Sequence, residues 1–277
     1  KDPNYTSGGV GGKAASLDVS NARILVPPQS ASTLLPLAQL LSQEIALKAG
    51  VVLQVAQSNT PNQGDIMLSL GSGSSEGYTL AVTKTSAVIV GADYTGVAWG
   101  TVTLLQSLCL QGIVSVSLSL PYMTINDFPD TPWRGMLVDV ARSLVEIDDL
   151  RQAIVYCRFY KIRYLQLHLT DDHAWTFPSK TYPSLGTLNI GFRGRTPYVY
   201  TPQQLADLVA FASVRGVIIV PEIEGPSHSG AMRRSSPVPF QGTSLSLSLS
   251  LYLSIYLSIY LVSLSLSCIV GGHTHNT

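Results

Sequence analysis

The chain has 277 residues, and 17 basic side chains balance 17 acidic ones. With no net field and no basic run, neither nucleic acid nor an anionic membrane surface is an expected partner, which leaves a small neutral ligand as the better expectation. Charged residues make up only 12% of the chain, about half the usual share of a globular domain, and the shortfall is deepest toward the C-terminus.

Residues 1–20 form an N-terminal segment without a clear element. Lys1 stands in place of Met and no basic, apolar, small-residue pattern of a secretory signal follows, so a true N-terminus upstream is expected. Asn4-Tyr5-Thr6 is a glycosylation sequon, relevant only to a secreted protein. Residues 21–122 then read as a small α+β domain. Leu35, Leu37, Leu40, Leu41, Ile45 and Leu47 fall near helical spacing between Ser32 and Ala49, and Gly50 supplies a stop. Short β-prone runs follow at Val51 to Val55, Asp65 to Leu70, Gly77 to Thr83 and Ala87 to Gly91, separated by turn-forming residues. A second helix is expected from Gly96 to Leu110, and two helices on one face of a sheet make an α+β unit. Cys109, Cys157 and Cys268 have no metal-type spacing and are odd in number, which reads as buried thiols.

Residues 123–232 have a different rhythm. Strands are expected at Arg134 to Val140, Tyr164 to Leu169 and Val217 to Ile223, with helices at Ile147 to Tyr160 and Thr201 to Arg215. The second helix has Thr201 as N-cap, Pro202 in the first turn and Gly216 just beyond its end. Apolar strands alternating with helices imply parallel strands covered by helices, which fits both a doubly wound sheet and a (β/α)8 barrel. Polar residues gather at the C-terminal end of each strand: Asp139 and Arg142, then His168, Asp171, Asp172 and His173, then Glu222, Glu224 and His228. That edge is where parallel α/β proteins build their sites.

Residues 233–277 degenerate, after Gly242, into Ser-Leu alternation and two copies of Ser-Ile-Tyr-Leu from Ser254. The repeated tetranucleotide TCTA encodes Ser-Ile-Tyr-Leu and a TC repeat encodes Ser-Leu, so the tail reads as translated microsatellite DNA. A strand pair and a membrane helix are the other readings; serine at every second position argues against the membrane.

The strand-end blocks carry a resemblance. Trp133-Arg134-Gly135-Met136-Leu137-Val138-Asp139-Val140-Ala141-Arg142, Leu165-Gln166-Leu167-His168-Leu169-Thr170-Asp171-Asp172 with Trp175 following, and Val220-Pro221-Glu222-Ile223-Glu224-Gly225-Pro226-Ser227-His228 are similar to three successive blocks of family 20 glycoside hydrolases. Gly64-Asp65-Ile66, Glu76-Gly77-Tyr78-Thr79-Leu80 and Gly100-Thr101-Val102-Thr103-Leu104-Leu105-Gln106 resemble that family's small α+β domain. The resemblance covers roughly residues 20 to 232. It implies an incomplete (β/α)8 TIM barrel, broken after the third strand and preceded by a small α+β domain.

It also implies a β-N-acetylhexosaminidase that removes terminal N-acetylhexosamine residues from glycans, with no metal and no organic cofactor. Arg142 stands where the family's arginine grips the sugar's 3- and 4-hydroxyls, a task for a planar donor fork. Asp171 and His228 stand where a carboxylate–histidine dyad supports the acid/base glutamate, and Trp175 is given a structural role. In the family, the substrate's acetamido oxygen attacks the anomeric carbon while an Asp orients it and an adjacent Glu protonates the leaving oxygen. That Asp-Glu pair is absent: no Asp or Glu follows Glu224, and Gly271-Gly272 leads to His273. Smaller departures are Ala141 and Ser143 flanking Arg142 where Ser and His are common, Glu224 for Asp, and Ser227 for Gly. The chain alone is therefore expected to be inactive, with weak sugar binding without hydrolysis as the alternative, and an open three-stranded piece is expected to fold poorly on its own. The resemblance allows a homodimer of the full-length family member and implies a lysosomal or extracellular location.

Overall fold

A computed structural model of the chain describes residues 15–111, 117–186 and 198–235. The sequon at Asn4, the thiol of Cys268 and the repetitive tail beyond Ser235 lie outside the described residues. The chain divides into two compact units, and the division follows no single point of the sequence: unit 1 comprises residues 1–134, 154–163 and 210–218, and unit 2 the remainder.

In unit 1, β1 (Ser16–Asp18) belongs to a small antiparallel sheet, whereas β2 (Arg23–Val26) enters a larger one and is followed by α1 (Ala31–Ala49). The elements after it are β3 (Gln54–Gln57), β4 (Ile66–Leu70), β5 (Tyr78–Val82), β6 (Ala87–Gly91) and α2 (Tyr94–Ser107). Three short strands then complete both sheets: β7 (Cys109–Gln111), β8 (Ser117–Pro121) and β9 (Met123–Asp127). The large sheet has the order β3-β2-β4-β6-β5-β9 and the small one β1-β8-β7. Alternate residues of β4, β5 and β6 are buried, as a sheet covered on one face by helices requires.

The helical expectation over Ser32 to Ala49 holds, with Leu34, Leu37, Ala38, Leu41 and Ile45 forming the buried stripe and Gly50 in the left-handed conformation that ends it. Leu47 departs from the expected stripe at 89% exposed, because two residues beyond Ile45 is more than half a helical turn round. The helix after β6 begins and ends earlier than its sequence suggests. Asp93 caps it by accepting from the Gly96 amide at 2.8 Å, while Cys109–Gln111 leave it to pair with β8. Gly100 lets α2 lie against the sheet: a Cβ there would stand 2.5 Å from the Ile89 side chain. Asp65 binds the Arg23 guanidinium at 2.7 Å, and Glu76 accepts from the Trp99 indole at 2.8 Å and from Arg134 at 2.5 Å. These recognisable motif positions therefore tie strands and helix together.

Unit 2 holds the barrel-type strands. β10 (Gly135–Asp139) pairs in parallel with β11 (Tyr164–His168), and β12 (Ile218–Glu222) lies on the far side of β11. Ile218 donates to the Arg163 carbonyl and Leu169 to the Glu222 carbonyl, so β11 and β12 rise together. Two helices, α3 (Ile147–Phe159) and α4 (Pro202–Val214), connect the three strands; their later portions, from Ile154 and from Ala210, belong to unit 1. There Arg158, 2% exposed, is held bidentately by Glu44 at 2.7 Å and bonds Thr101 Oγ1 at 2.9 Å. The α4 start has reciprocal caps: the Gln204 amide donates to Thr201 Oγ1 at 3.1 Å and the Thr201 amide to Gln204 Oε1 at 2.8 Å. The short α5 (Gly230–Ser235) closes the described chain, its Ala231 and Met232 packed with Trp175 and Leu185.

Leu165 and Leu167 of the central strand are buried, whereas Leu137 of β10 and Ile218 of β12 are 52% and 40% exposed. Among the described residues β10 and β12 each have one strand neighbour, the open arrangement expected of a barrel fragment. No helix among them is long and apolar enough to cross a membrane.

Candidate active site

The parallel register sets Asp139 opposite His168, the last residues of two neighbouring strands, and Glu222 ends the third. The functional side chains are placed by the loops just beyond. After β10, Asp139 Oδ1 accepts the amides of Ala141 and Arg142 at 3.1 and 2.9 Å, an Asx-type turn that folds Arg142 back over the strand end. The guanidinium then reaches Asp139 Oδ2 at 2.6 Å and Asp171 Oδ2 at 2.5 Å. Its side chain remains 43% exposed.

After β11 the chain makes a tight return, with Thr170 bridging Trp175 and the Asp171 amide donating to the Ala174 carbonyl at 2.9 Å. The turn presses the Asp171 side chain inward to 1% exposed. Trp175 is buried and its indole donates to the Phe177 carbonyl at 2.6 Å, which gives it the structural place expected of it. After β12, the Glu224 amide is anchored on Thr170 Oγ1 at 2.8 Å. His228, in the left-handed backbone region at φ 50°, brings Nδ1 to 3.1 Å from Asp171 Oδ2.

Arg142 and His228 thus converge on the Asp171 carboxylate. Asp171 has further partners: the Asp172 amide at 2.6 Å and His173 Nδ1 at 3.1 Å on Oδ1, and His168 Nε2 at 3.1 Å on Oδ2. Burial acts most strongly on Asp171 and pushes its carboxyl upward, but the His168 hydrogen bond, the Asp172 amide and the Arg142 charge together hold it below the ordinary carboxylate value. Asp171 is accordingly an ionised acceptor, not an acid.

The sequence did not reveal the second half of this arrangement. His168 Nδ1 lies 2.8 Å from Glu222 Oε1, and Gln166 donates to Glu222 Oε2 at 2.7 Å. The available signal was Gln166 and His168 two apart in an otherwise apolar strand, hence on one face. For Glu222, burial again pushes upward, while His168 and Gln166 carry the balance below the ordinary value. Glu224 goes the other way: burial, then the neighbouring Glu222, favours its protonated form. Two groups, His168 with Glu222 and Glu224, and Asp171 with Asp172 and His228, have ligand atoms within 4.8 Å of one another, close enough for a cation. Their atoms are engaged with each other, with Arg142 and with the Gly230 amide on Asp172.

Residues 131–250 match the family model described as the catalytic domain of glycosyl hydrolase family 20, and residues 9–128 match that of domain 2 of the same family. The chain belongs to glycosyl hydrolase family 20. A beta-hexosaminidase of Porphyromonas gingivalis is 31% identical over 219 residues, covering 75% of this chain and 28% of that relative. Among solved structures, the family 20 beta-N-acetylhexosaminidase of Streptomyces coelicolor A3(2) superposes with a TM-score of 0.71 at 26% identity, over 82% of this chain and 47% of that one. A mutant beta-hexosaminidase of Streptomyces plicatus in complex with product GlcNAc gives 0.70 at 25% identity, over 80% and 45%. The likeness confirms the expected architecture, an incomplete TIM barrel preceded by an α+β domain. The family 20 chain spans under a third of its P. gingivalis relative and under half of the two solved relatives.

Proposed function

We propose that this family 20 chain carries the sugar-gripping half of a β-N-acetylhexosaminidase site, and that by itself it binds a terminal N-acetylhexosamine without hydrolysing the glycosidic bond. The observation that carries the reading is the Arg142 guanidinium. It is fixed at a barrel strand end by Asp139 at 2.6 Å and Asp171 at 2.5 Å, yet is 43% exposed, a preorganised fork for vicinal hydroxyls. The Streptomyces plicatus relative holds GlcNAc, which supports the same sugar class here.

In a complete family 20 site the acetamido oxygen of the substrate is the nucleophile and a neighbouring glutamate is the proton donor. The residues of this chain would hold the sugar ring and, through Asp171 and His228, support that glutamate. No Asp or Glu follows Glu224, so neither member of the Asp-Glu pair is supplied. With one guanidinium grip, the affinity for free GlcNAc is expected on the order of 1 mM.

The test is saturation-transfer NMR of the 277-residue chain with GlcNAc, beside a release assay on a chromogenic N-acetylglucosaminide. Binding that disappears in Arg142→Ala, with no release, is the expected outcome. Release that is lost in Arg142→Ala would overturn the inactive reading, and absence of binding would overturn the grip.

A further inference from the structure

His168 sits between two carboxylates, with Nδ1 2.8 Å from Glu222 Oε1 and Nε2 3.1 Å from Asp171 Oδ2. A neutral imidazole has one N–H and one lone pair, so it can satisfy only one of these oxygens; the other contact would set a lone pair against a carboxylate. One extra proton is therefore required, on the ring or on an acid. Asp171 is a poor place for it, because Oδ1 already accepts the Asp172 amide and faces His173, and Oδ2 lies in ion-pair contact with Arg142 and His228. On Glu222, Oε2 is taken by Gln166 and Oε1 faces the ring.

We propose that His168 is a doubly protonated imidazole, a positioning residue that keeps Asp171 ionised and aimed at Arg142 while tying the end of β11 to the end of β12. The proposal rests on the sugar-grip reading only for its consequence, not for the proton itself. Its surroundings agree. Carboxylates Asp139, Asp171, Asp172, Glu222 and Glu224 are gathered at these strand ends, with the Arg142 guanidinium paired to Asp139 and Asp171, and His168 is 5% exposed, with the His228 ring centroid 6.4 Å away. Burial favours the neutral ring, but hydrogen bonds to Glu222 and Asp171 and the charges of Glu222 and Asp139 outweigh it and raise its proton affinity above the ordinary histidine value. A divalent ion bound by His168, Glu222 and Glu224 would take Nδ1 and displace the proton between His168 and Glu222, leaving Nε2–H on Asp171.

The consequence is a grip that depends on pH. When the ring loses its second proton, one of the two carboxylates loses its donor. Either Asp171 is released from one of the contacts that hold it against Arg142, or the β11–β12 link through Glu222 opens.

The test is a two-bond ¹H–¹⁵N correlation titration of the ¹⁵N-histidine-labelled, 277-residue chain. His168 is assigned by the loss of its signals in His168→Gln. Should that variant not fold, elimination of the other four histidines with His173→Gln, His228→Gln, His273→Gln and His275→Gln makes the assignment. The expected result is a ring with both nitrogens protonated and a midpoint above the ordinary histidine value, moving downward in Glu222→Gln, which keeps an acceptor but removes the charge. GlcNAc affinity of the wild-type chain should weaken several-fold as pH rises through that midpoint. A singly protonated His168 with a midpoint at or below the ordinary value would overturn the proposal, as would a midpoint unmoved by Glu222→Gln. A doubly protonated ring in a chain that binds no GlcNAc at any pH would instead remove the sugar reading and leave the proton in place.

Discussion

Replacing Asp171 by Asn removes one charge from the most connected side chain of unit 2 while keeping its shape. Asp171 Oδ2 is hydrogen-bonded to His168 and ion-paired with Arg142 and His228, and Oδ1 is hydrogen-bonded to His173 and the Asp172 amide. An amide offers one acceptor and one donor group, so whichever way it turns, its NH2 faces at least two existing donors. Arg142 and His228 are 43% and 45% exposed and can turn to water, which limits their losses. His168 and the Asp172 amide are more enclosed, and breaking buried charge-assisted bonds of this kind costs about 3 kcal/mol in total. With a urea dependence of about 1–3 kcal/mol per molar, the midpoint should fall by roughly 1–3 M. Urea-dependent hydrogen exchange at the Leu165–Leu169 amides reports on that unit directly. A loss below about 0.5 kcal/mol, within the range of an ordinary surface substitution, would refute the view that Asp171 is the shared acceptor on which the strand-end loops depend.

The same exchange measurement against pH should show a stability maximum on the mildly acidic side. Asp171 and Glu222 have lowered proton affinities, so their contribution is complete above the ordinary values of 3.8 and 4.5 and is lost as pH falls through their folded values. His168 is raised, so its contribution is complete below 6.5 and disappears as pH rises through its folded value, and Glu224, also raised, loses its contribution as pH rises above 4.5 through its own folded value. A maximum at alkaline pH would contradict these signs. In unit 1, Glu44→Ala leaves Arg158 buried without its carboxylate and should destabilise by about 3–5 kcal/mol in urea unfolding. Thr201→Ala removes one half of the reciprocal cap of α4 and should cost about 1 kcal/mol, read as faster exchange at the first amides of that helix.

Local periodicity made much of the fold legible. The alternation of apolar strands with helices located β10, β11, β12, α3 and α4 to within a residue or two, and Thr201, Pro202 and Gly216 marked the limits of α4. Short strands were harder. Leu17 is the lone buried residue of β1, and β2 has only four residues, so neither offers a periodic pattern, although Ile24, Leu25 and Val26 of β2 are fully buried. The helical run toward Leu110 is ended by β8, whose partnership with Cys109–Gln111 no local pattern announces.

The sequence by itself determined the family and the strand ends at which polar residues gather, and singled out Arg142, Asp171 and His228 as candidate site residues, because motif spacing and strand order are properties of the chain. Tertiary structure decided how those residues are wired. That Arg142 and His228 both pair with Asp171, that His168 reaches Glu222, and that Arg158 of α3 is buried against Glu44 all depend on side chains separated by up to 114 positions. Such contacts are set by parallel register and helix packing, which bring distant residues within 3 Å without leaving a local trace in either partner's sequence.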